Sequence, residues 1–337
     1  MIYVGVDLHR RFCYMTAMDA TGQILDQRNV ANETASLQGY LKRWTEPPTM
    51  AVESCSFWPA FAEAVEPLVE RLVLVHPQRV KAIASAKLKN DRVDSATLAH
   101  LLRTNLLPEA WKADPGTRQL RELVRLRIDL GRQRARWKNR VHALLHAHGA
   151  RSPVTDLFGQ AGRAWLRTVE LPAGTMPVLA SCLEMIDQCS QPIRIQEKRM
   201  KTCAQADPRV EWLSSIPGIG SYSALVLLAE IGPIERFRSK RQLYSYAGLT
   251  PRLRQSAERK RSGGITRAGS PRRRWILVEA ATVAARYSPA AQRYYQPLAE
   301  RKHRNVARVA LARKLLGAVW ALLRHGVCFD EEAFAAM

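Results

Sequence analysis

Apolar and polar positions alternate with different periods in successive parts of the chain, and the changes of period divide it. Over the first 76 residues, short apolar runs bounded by polar turns recur. "IYVGVDL" and "FCYMTAMD" read as strands, the Thr21-Gly22 turn separates the second from "QILDQRNV", and "TASLQGYLKRW" has helical spacing. "TMAVES" and "RLVLVH" follow as buried strands, with the helix-like "FWPAFAEAVEPLVE" between them. Three consecutive strands joined by tight turns, then helix, strand, helix, strand, is the order of an RNase H-like mixed α/β sheet.

From Thr117 to about His148 the period lengthens. Leu123, Leu126, Leu130, Trp137, Val141 and Leu144 recur near a spacing of about 3.5. Residues 176–204 do the same through Leu179, Cys182, Ile186, Cys189, Ile193, Met200 and Cys203. The pattern predicts two long helices packed as an antiparallel or intermolecular coiled coil, with Arg127 and Arg134 in the first stripe and Pro192 interrupting the second helix. Between them, "GARSPVTDLFGQAGRAWLRTVELPAGT" is a compact insert or loop to which the pattern assigns no role. From about Asp207, short helices punctuated by Gly and Pro predict a mainly helical C-terminal part. The expected division is an α/β domain at 1–112, a coiled-coil or oligomerisation region at 113–206, and a helical domain at 207–337.

Composition sharpens this. With 337 residues and 47% apolar content, the chain can build several cores, so global disorder is excluded. No basic-then-apolar leader opens it, and no run reaches the ~18 apolar residues of a membrane span, which predicts a cytoplasmic protein with no membrane partner. The six cysteines form no CxxC pair, and three lie on the second apolar stripe, so packing accounts for them better than zinc or disulfides. The net charge is +22, yet residues 1–100 hold 11 Lys/Arg and 11 Asp/Glu, so the whole excess lies beyond residue 100. Residues 118–140 have nine basic side chains against Glu122 and Asp129, and residues 252–274 have nine against Glu258. Counterion release from such clusters gives salt-dependent binding to nucleic acid, with Arg132 and Arg136 in the first and Arg252, Arg254, Arg259, Lys260, Arg261 and Arg267 in the second as candidate contacts. A solvated helix face is the competing reading for the first; an anionic membrane lacks the apolar face it would need.

Four carboxylates stand out against this charge. Asp7 and Glu53 each end an apolar strand, and these strands lie side by side in an RNase H-like sheet. Asp91 and Asp94, three apart at a helix start, could meet them on one face, or could simply suit the helix dipole. Four clustered carboxylates need cations, and oxygen ligands select Mg²⁺ or Mn²⁺; two metals would stabilise the attacking and leaving oxygens of phosphoryl transfer. His9 would point to the same side as Asp7 and reads as a surface or substrate-contacting histidine. In "SIPGIGSYSALVLLAEIG", a turn with Gly218 and Gly220 feeds an apolar helix, similar to a helix-hairpin-helix element; its free N–H groups suit phosphate, and an ordinary helix-helix turn is the alternative. No GxxxxGK[ST] phosphate loop is present.

"YVGVDLHRRF", "AVES" and "NDRVDSATLA" resemble the N-terminal DEDD domain of bacterial insertion sequence 110 family transposases, which include the Piv-type DNA invertases. "IPGIGSYSALVLLAEIG", "RFRSKRQLYSYAGLTP", "GGITRAG" and "RRRWILVEAA" extend the resemblance through the C-terminal transposase domain. It implies a DNA transposase or recombinase whose quartet Asp7, Glu53, Asp91 and Asp94 holds divalent metal. It also implies a serine nucleophile at Ser256 that becomes covalently linked to DNA, activated by the metals if the two domains meet, within one chain or across subunits. Where the family carries glycine after this serine, Ala257 and Glu258 follow here, and Ser262 and Ser270 lie nearby. The implied partners are DNA at the element's ends and at a target, a guide or bridge RNA, and further copies of the chain as a dimer or tetramer. A RuvC-like nuclease or junction resolvase, in which water attacks and Ser256 only contacts phosphate, is the main rival; a non-catalytic nucleic-acid-binding protein is the second. Tyr244, Tyr246, Tyr294 and Tyr295 lack the Arg-His-Arg setting of a tyrosine recombinase and read as packing or base-stacking groups.

Overall fold

The structure is a computed structural model that describes residues 1–83, 90–256 and 259–337; for residues 82, 253–256 and 259–262 it describes the backbone alone. The chain divides into two compact units, Met1–Ala113 and Asp114–Met337.

In the first unit, β1 (Tyr3–Leu8), β2 (Phe12–Met18) and β3 (Ile24–Ala31) form an antiparallel meander. After α1 (Thr34–Leu41), β4 (Thr49–Glu53) pairs parallel with β1. After α2 (Trp58–Val65) and a 3₁₀ turn at Glu66–Leu68, β5 (Arg71–Val75) pairs parallel with β4. The result is a five-stranded mixed sheet of order β3-β2-β1-β4-β5. Strand alternation gives it two buried faces. Val4, Val6 and Leu8 join Met15, Met50, Val52 and Leu74 under Leu37 and Leu41 of α1 and Phe61 and Val65 of α2. The opposite face is covered by α3 (Pro77–Ile83), which the sequence pattern did not anticipate, and by α4 (Asp91–Arg103), through Ala51, Val73, Val75, Val80, Leu98 and Leu101.

One row of small residues decides how closely α4 lies on the sheet. Thr16, Gly5 and Ala51 stand in register across β2, β1 and β4. A Cβ on Gly5 would sit 2.0 Å from the Ser95 carbonyl oxygen and 2.4 Å from the Ala99 nitrogen, so only glycine permits this approach. Beside it, the Thr16 and Ser95 hydroxyls share a buried hydrogen bond of 2.7 Å.

The second unit begins with α5 (Pro115–Ala147), α6 (Gln160–Thr168) and α7 (Met176–Ala206). Val124 and Ile128 share a core with Met200, whereas Val141 and Leu145 share one with Leu179, Cys182 and Ile186, so α5 and α7 run antiparallel within one chain. On α7 the predicted stripe is buried from Leu179 to Met200 at alternating spacings of three and four, with Gln196 completing it. On α5 the predicted register needs correction: the buried positions are Val124, Ile128, Val141 and Leu145, and Leu126 is exposed. Neighbouring apolar residues on a helix compete for the same seam, and Val124, Ile128, Val141 and Leu145 occupy it. Pro192 does not interrupt α7 either. The cost of proline inside a helix, about 3 kcal/mol for the lost backbone bond and the ring's clash with the preceding turn, is outweighed by the continuous stripe.

Then follow α8 (Arg209–Ser214), α9 (Ser221–Ile231), a 3₁₀ turn at Ile234–Arg236 and α10 (Lys240–Ala247). The unit closes with α11 (Pro271–Tyr287), α12 (Pro289–Arg301), α13 (Arg304–His325) and α14 (Glu331–Ala336). Every residue of α9 from Ala224 to Ile231 is buried, which makes this helix the centre of the core. Within this mainly helical unit, the arginine-rich stretch forms an antiparallel hairpin of β6 (Pro251–Ser256) and β7 (Arg259–Ile265). The charge of "RLRQS" masks a period of two. Among the described residues, no helix is long and apolar enough to cross a membrane.

Candidate active site

The first unit gathers its acidic groups at one end of β1. Gly5, Asp7 and His9 follow one another on the side of the chain that faces α4, and the close approach at Gly5 brings the first turn of α4 to Asp7. Asn90 caps that turn, its side-chain oxygen accepting from the Val93 N–H at 2.8 Å. Asp91 and Asp94 therefore sit in the first turn of α4, one turn apart.

Among the described residues, the ligand atoms of Asp7, His9 and Asp91 all lie within 4.8 Å of one another. His9 Nε2 is 3.4 Å from one oxygen of Asp7 and 3.4 Å from one oxygen of Asp91, with no closer hydrogen-bond partner for that buried atom. Burial pushes the Asp7 carboxyl above its ordinary range; His9 opposes this, while the charges of Asp91 and Asp94 add to it. Asp94 is thus within electrostatic reach of Asp7 without joining the tight group. Glu53 ends β4 one step beyond the Val6–Val52 pair, so the parallel register sets it beside Asp7 on the same face. His9, read from the sequence as a surface or substrate-contacting histidine rather than a metal ligand, is set by the structure between two carboxylates; its signal was the i, i+2 spacing from Asp7.

The other candidates belong to the second unit. Ser256 is the last residue of β6 and pairs with Arg259, the first of β7; its side chain, with those of Arg254, Arg259, Lys260 and Arg261, lies outside the described residues, as do Ala257 and Glu258 altogether. Gly218 has φ +88, and a Cβ there would meet the Ala280 carbonyl oxygen at 2.5 Å, so this glycine is required by the turn and by the contact with α11. Gly220 caps α9 with open space around it. Arg252 and Arg267 are exposed, as are Arg136 and Arg132, the last 3.5 Å from Asp129.

Several arginines counted in the basic clusters are instead tied inside this unit. Arg125 donates to Glu230 at 2.8 and 3.3 Å; Glu230 is 2% exposed. Burial alone would push the Glu230 carboxyl up, but hydrogen bonding and attraction from Arg125 hold it below its ordinary value. Arg273, 1% exposed, donates to the carbonyls of Glu230 and Tyr246 and lies 3.9 Å from the Tyr246 ring centroid, with Arg236 at 4.3 Å from the same centroid. Arg127 pairs with Glu197 at 2.6 Å and Arg272 with Asp129 at 2.8 Å. Tyr244 is buried beneath Arg313. Packing explains these tyrosines.

In sequence, stretches of both units match families of transposases. Residues 4–149 match the family model of the DEDD-type IS110 transposase domain, described as "Transposase", and residues 210–296 match "Transposase IS116/IS110/IS902 family". The chain belongs to the IS116/IS110/IS902 family of transposases. It is 25% identical to a Pseudomonas aeruginosa protein described as "Probable family 20 transposase", over 97% of this chain and 98% of the relative. It is 26% identical to the transposase for insertion sequence element IS1328 of Yersinia enterocolitica, over 97% and 98%, and 24% identical to that for IS1111A of Coxiella burnetii, over 95% and 89%.

Proposed function

We propose that the protein cuts and rejoins DNA strands at the ends of an insertion sequence and at a target, using an RNase H-like unit whose Asp7, Glu53, Asp91 and Asp94 hold Mg²⁺ or Mn²⁺. The observation that carries this reading is the convergence of Asp7, His9 and Asp91 on one point, within the stretch matched by the DEDD-type model. These residues fit a divalent cation: two carboxylates and an imidazole offer ligand atoms within 4.8 Å, and the repulsion that lifts Asp7 is what a cation relieves. Bound there, the ion supplies Lewis-acid stabilisation of a phosphoryl oxygen. Asp7 and Asp91 hold it from two directions, strand end and helix start, and Asp94 and Glu53 complete the acidic surround.

Ser256 supplies the nucleophile. Its Oγ bonds to phosphorus as the bond to the 3′ oxygen breaks; the serine proton is released and the departing oxygen takes one up as a 3′-hydroxyl. A new 3′-hydroxyl then attacks the phosphoserine, which frees Ser256 and restores the phosphodiester. The covalent link conserves the bond's energy, so no nucleotide cofactor is required. The resemblance to the family extends the reading to a bridge RNA that selects both DNAs and to a tetramer built from dimers; the basic clusters suit either nucleic acid.

A denaturing-gel assay tests the reading, with purified protein, Mg²⁺, RNA transcribed from DNA flanking the gene, and labelled element-end DNA. A protein–DNA adduct that disappears in Ser256→Ala and in Asp94→Ala is expected. Cut DNA without an adduct, undiminished by Ser256→Ala, would make the protein a metal-dependent nuclease in which water attacks.

A further inference from the structure

The insert between the long helices has a definite structure. Leu157, Leu166 and Val169 are buried against Val141, Leu145 and Cys182, and a Cβ on Gly162 would lie 2.3 Å from the Leu157 carbonyl oxygen, so α6 is pressed onto its own preceding loop. This platform helps to wall a cavity of about 370 Å³, in the size range of small-ligand sites. Four cations line it from three elements: Arg134 and Lys138, four apart on one face of α5, Arg163 of α6 and Arg194 of α7. Its carboxylate, Asp187, is already held by both terminal nitrogens of Arg163 at 2.6 Å. Among the described residues, Arg134, Lys138 and Arg194 form no ion pair.

Such an arrangement is costly as it stands. Lys138 lies 4.6 Å from the centroid of the Phe158 ring, and desolvation, then Arg134, hold its ammonium below the usual range, with Asp156 opposing and Arg163 adding to the effect. A solvated basic face would spread its charges; this one converges three of them on a concave surface built on a packed platform. An anion relieves the repulsion and offsets the cost of desolvation with charge-assisted hydrogen bonds. We propose that the cavity among α5, α6 and α7 is a subsite for the phosphodiester backbone of a nucleic acid, and that the insert exists to build it. Its lining residues do not include Arg132, Arg136 or any of the clustered carboxylates. It stands whether or not the catalytic reading does, because its test reads no catalysis.

The test uses the full chain with a 20-nucleotide single-stranded RNA and, separately, a 20-base-pair DNA duplex, both of random sequence. Acetylation of Lys138 by an amine-reactive reagent is followed by mass spectrometry, and binding is measured by anisotropy against salt. Protection of Lys138 by RNA, by DNA or by both supports the subsite and identifies its source. Arg134→Ala with Lys138→Ala should flatten the slope of log K against log salt by about 1.4 for the single strand or about 1.8 for the duplex. Arg194→Ala, at an exposed position that folding does not need, should flatten it by about half as much. Undiminished Lys138 reactivity with both polymers, together with an unchanged slope in Arg194→Ala, would overturn the proposal.

Discussion

The two units of this chain use charge in opposite ways. Met1–Ala113 holds 13 basic and 12 acidic residues and is almost neutral, yet it concentrates carboxylates at the end of one strand. Asp114–Met337 holds 39 basic and 18 acidic residues and carries nearly all the excess. Placement, more than total, separates chemistry from grip. In the neutral unit, mutually repelling carboxylates share one small site, which is useful only if a cation joins them. In the basic unit, arginines divide into those that hold the fold, such as Arg125, Arg127 and Arg273, and those left at the surface or around the α5–α6–α7 cavity. A count of basic residues therefore overstates the nucleic-acid surface.

The contrast breaks most visibly at the carboxylates. Asp7→Ala or Asp91→Ala should lower strand cleavage by roughly 10³-fold or more, measured by single-turnover assays, while anisotropy shows unchanged nucleic-acid binding. Loss of both together would mean that the neutral unit also grips. Next in size is Gly5→Ala, which forces α4 off the sheet and should cost about 3 kcal/mol, read as a lowered midpoint in urea; a variant as stable as the parent would remove Gly5 from the account.

In the basic unit, Glu230→Ala leaves Arg125 without its buried partner and should cost about 2 to 3 kcal/mol, discounted because Arg125 is 41% exposed. Because the Glu230 carboxyl is depressed in the folded state, its contribution is complete above its ordinary value of 4.5 and is lost as pH falls below that toward the folded value. Thermal melts between pH 6 and about pH 3 should therefore show a smaller acid loss in Glu230→Gln than in the parent. The smallest effect is expected for Ser95→Ala, which removes the buried bond to Thr16: about 1 kcal/mol by chemical denaturation.

Much of the first unit was legible in its sequence, because a half-buried strand must alternate and a strand-ending carboxylate breaks an apolar run visibly. All five strands, Asp7 and Glu53 at two strand ends, and Asp91 and Asp94 in a first helical turn could be read that way. What could not be read depended on depth. Nothing local marks Gly5 as the point where α4 touches the sheet, or tells His9 that Asp91 will arrive from the far side. In the second unit, α7 was legible because its three-four spacing is unbroken, whereas α5 offers adjacent leucines and branched residues, and packing against α7 chose between them. The hairpin at 251–265 was hidden by charge, since arginines at alternate positions look like a solvated loop until their pairing is known.

The claim on which the comparison rests is that the carboxylates of the neutral unit share a divalent cation. Mn²⁺ titration of the full chain, followed by the loss of the free-ion paramagnetic signal, tests it without reference to activity. Binding that is abolished in Asp7→Asn and in Asp91→Asn, and retained in Arg132→Ala with Arg136→Ala, is predicted. Binding unchanged in both aspartate variants would contradict it.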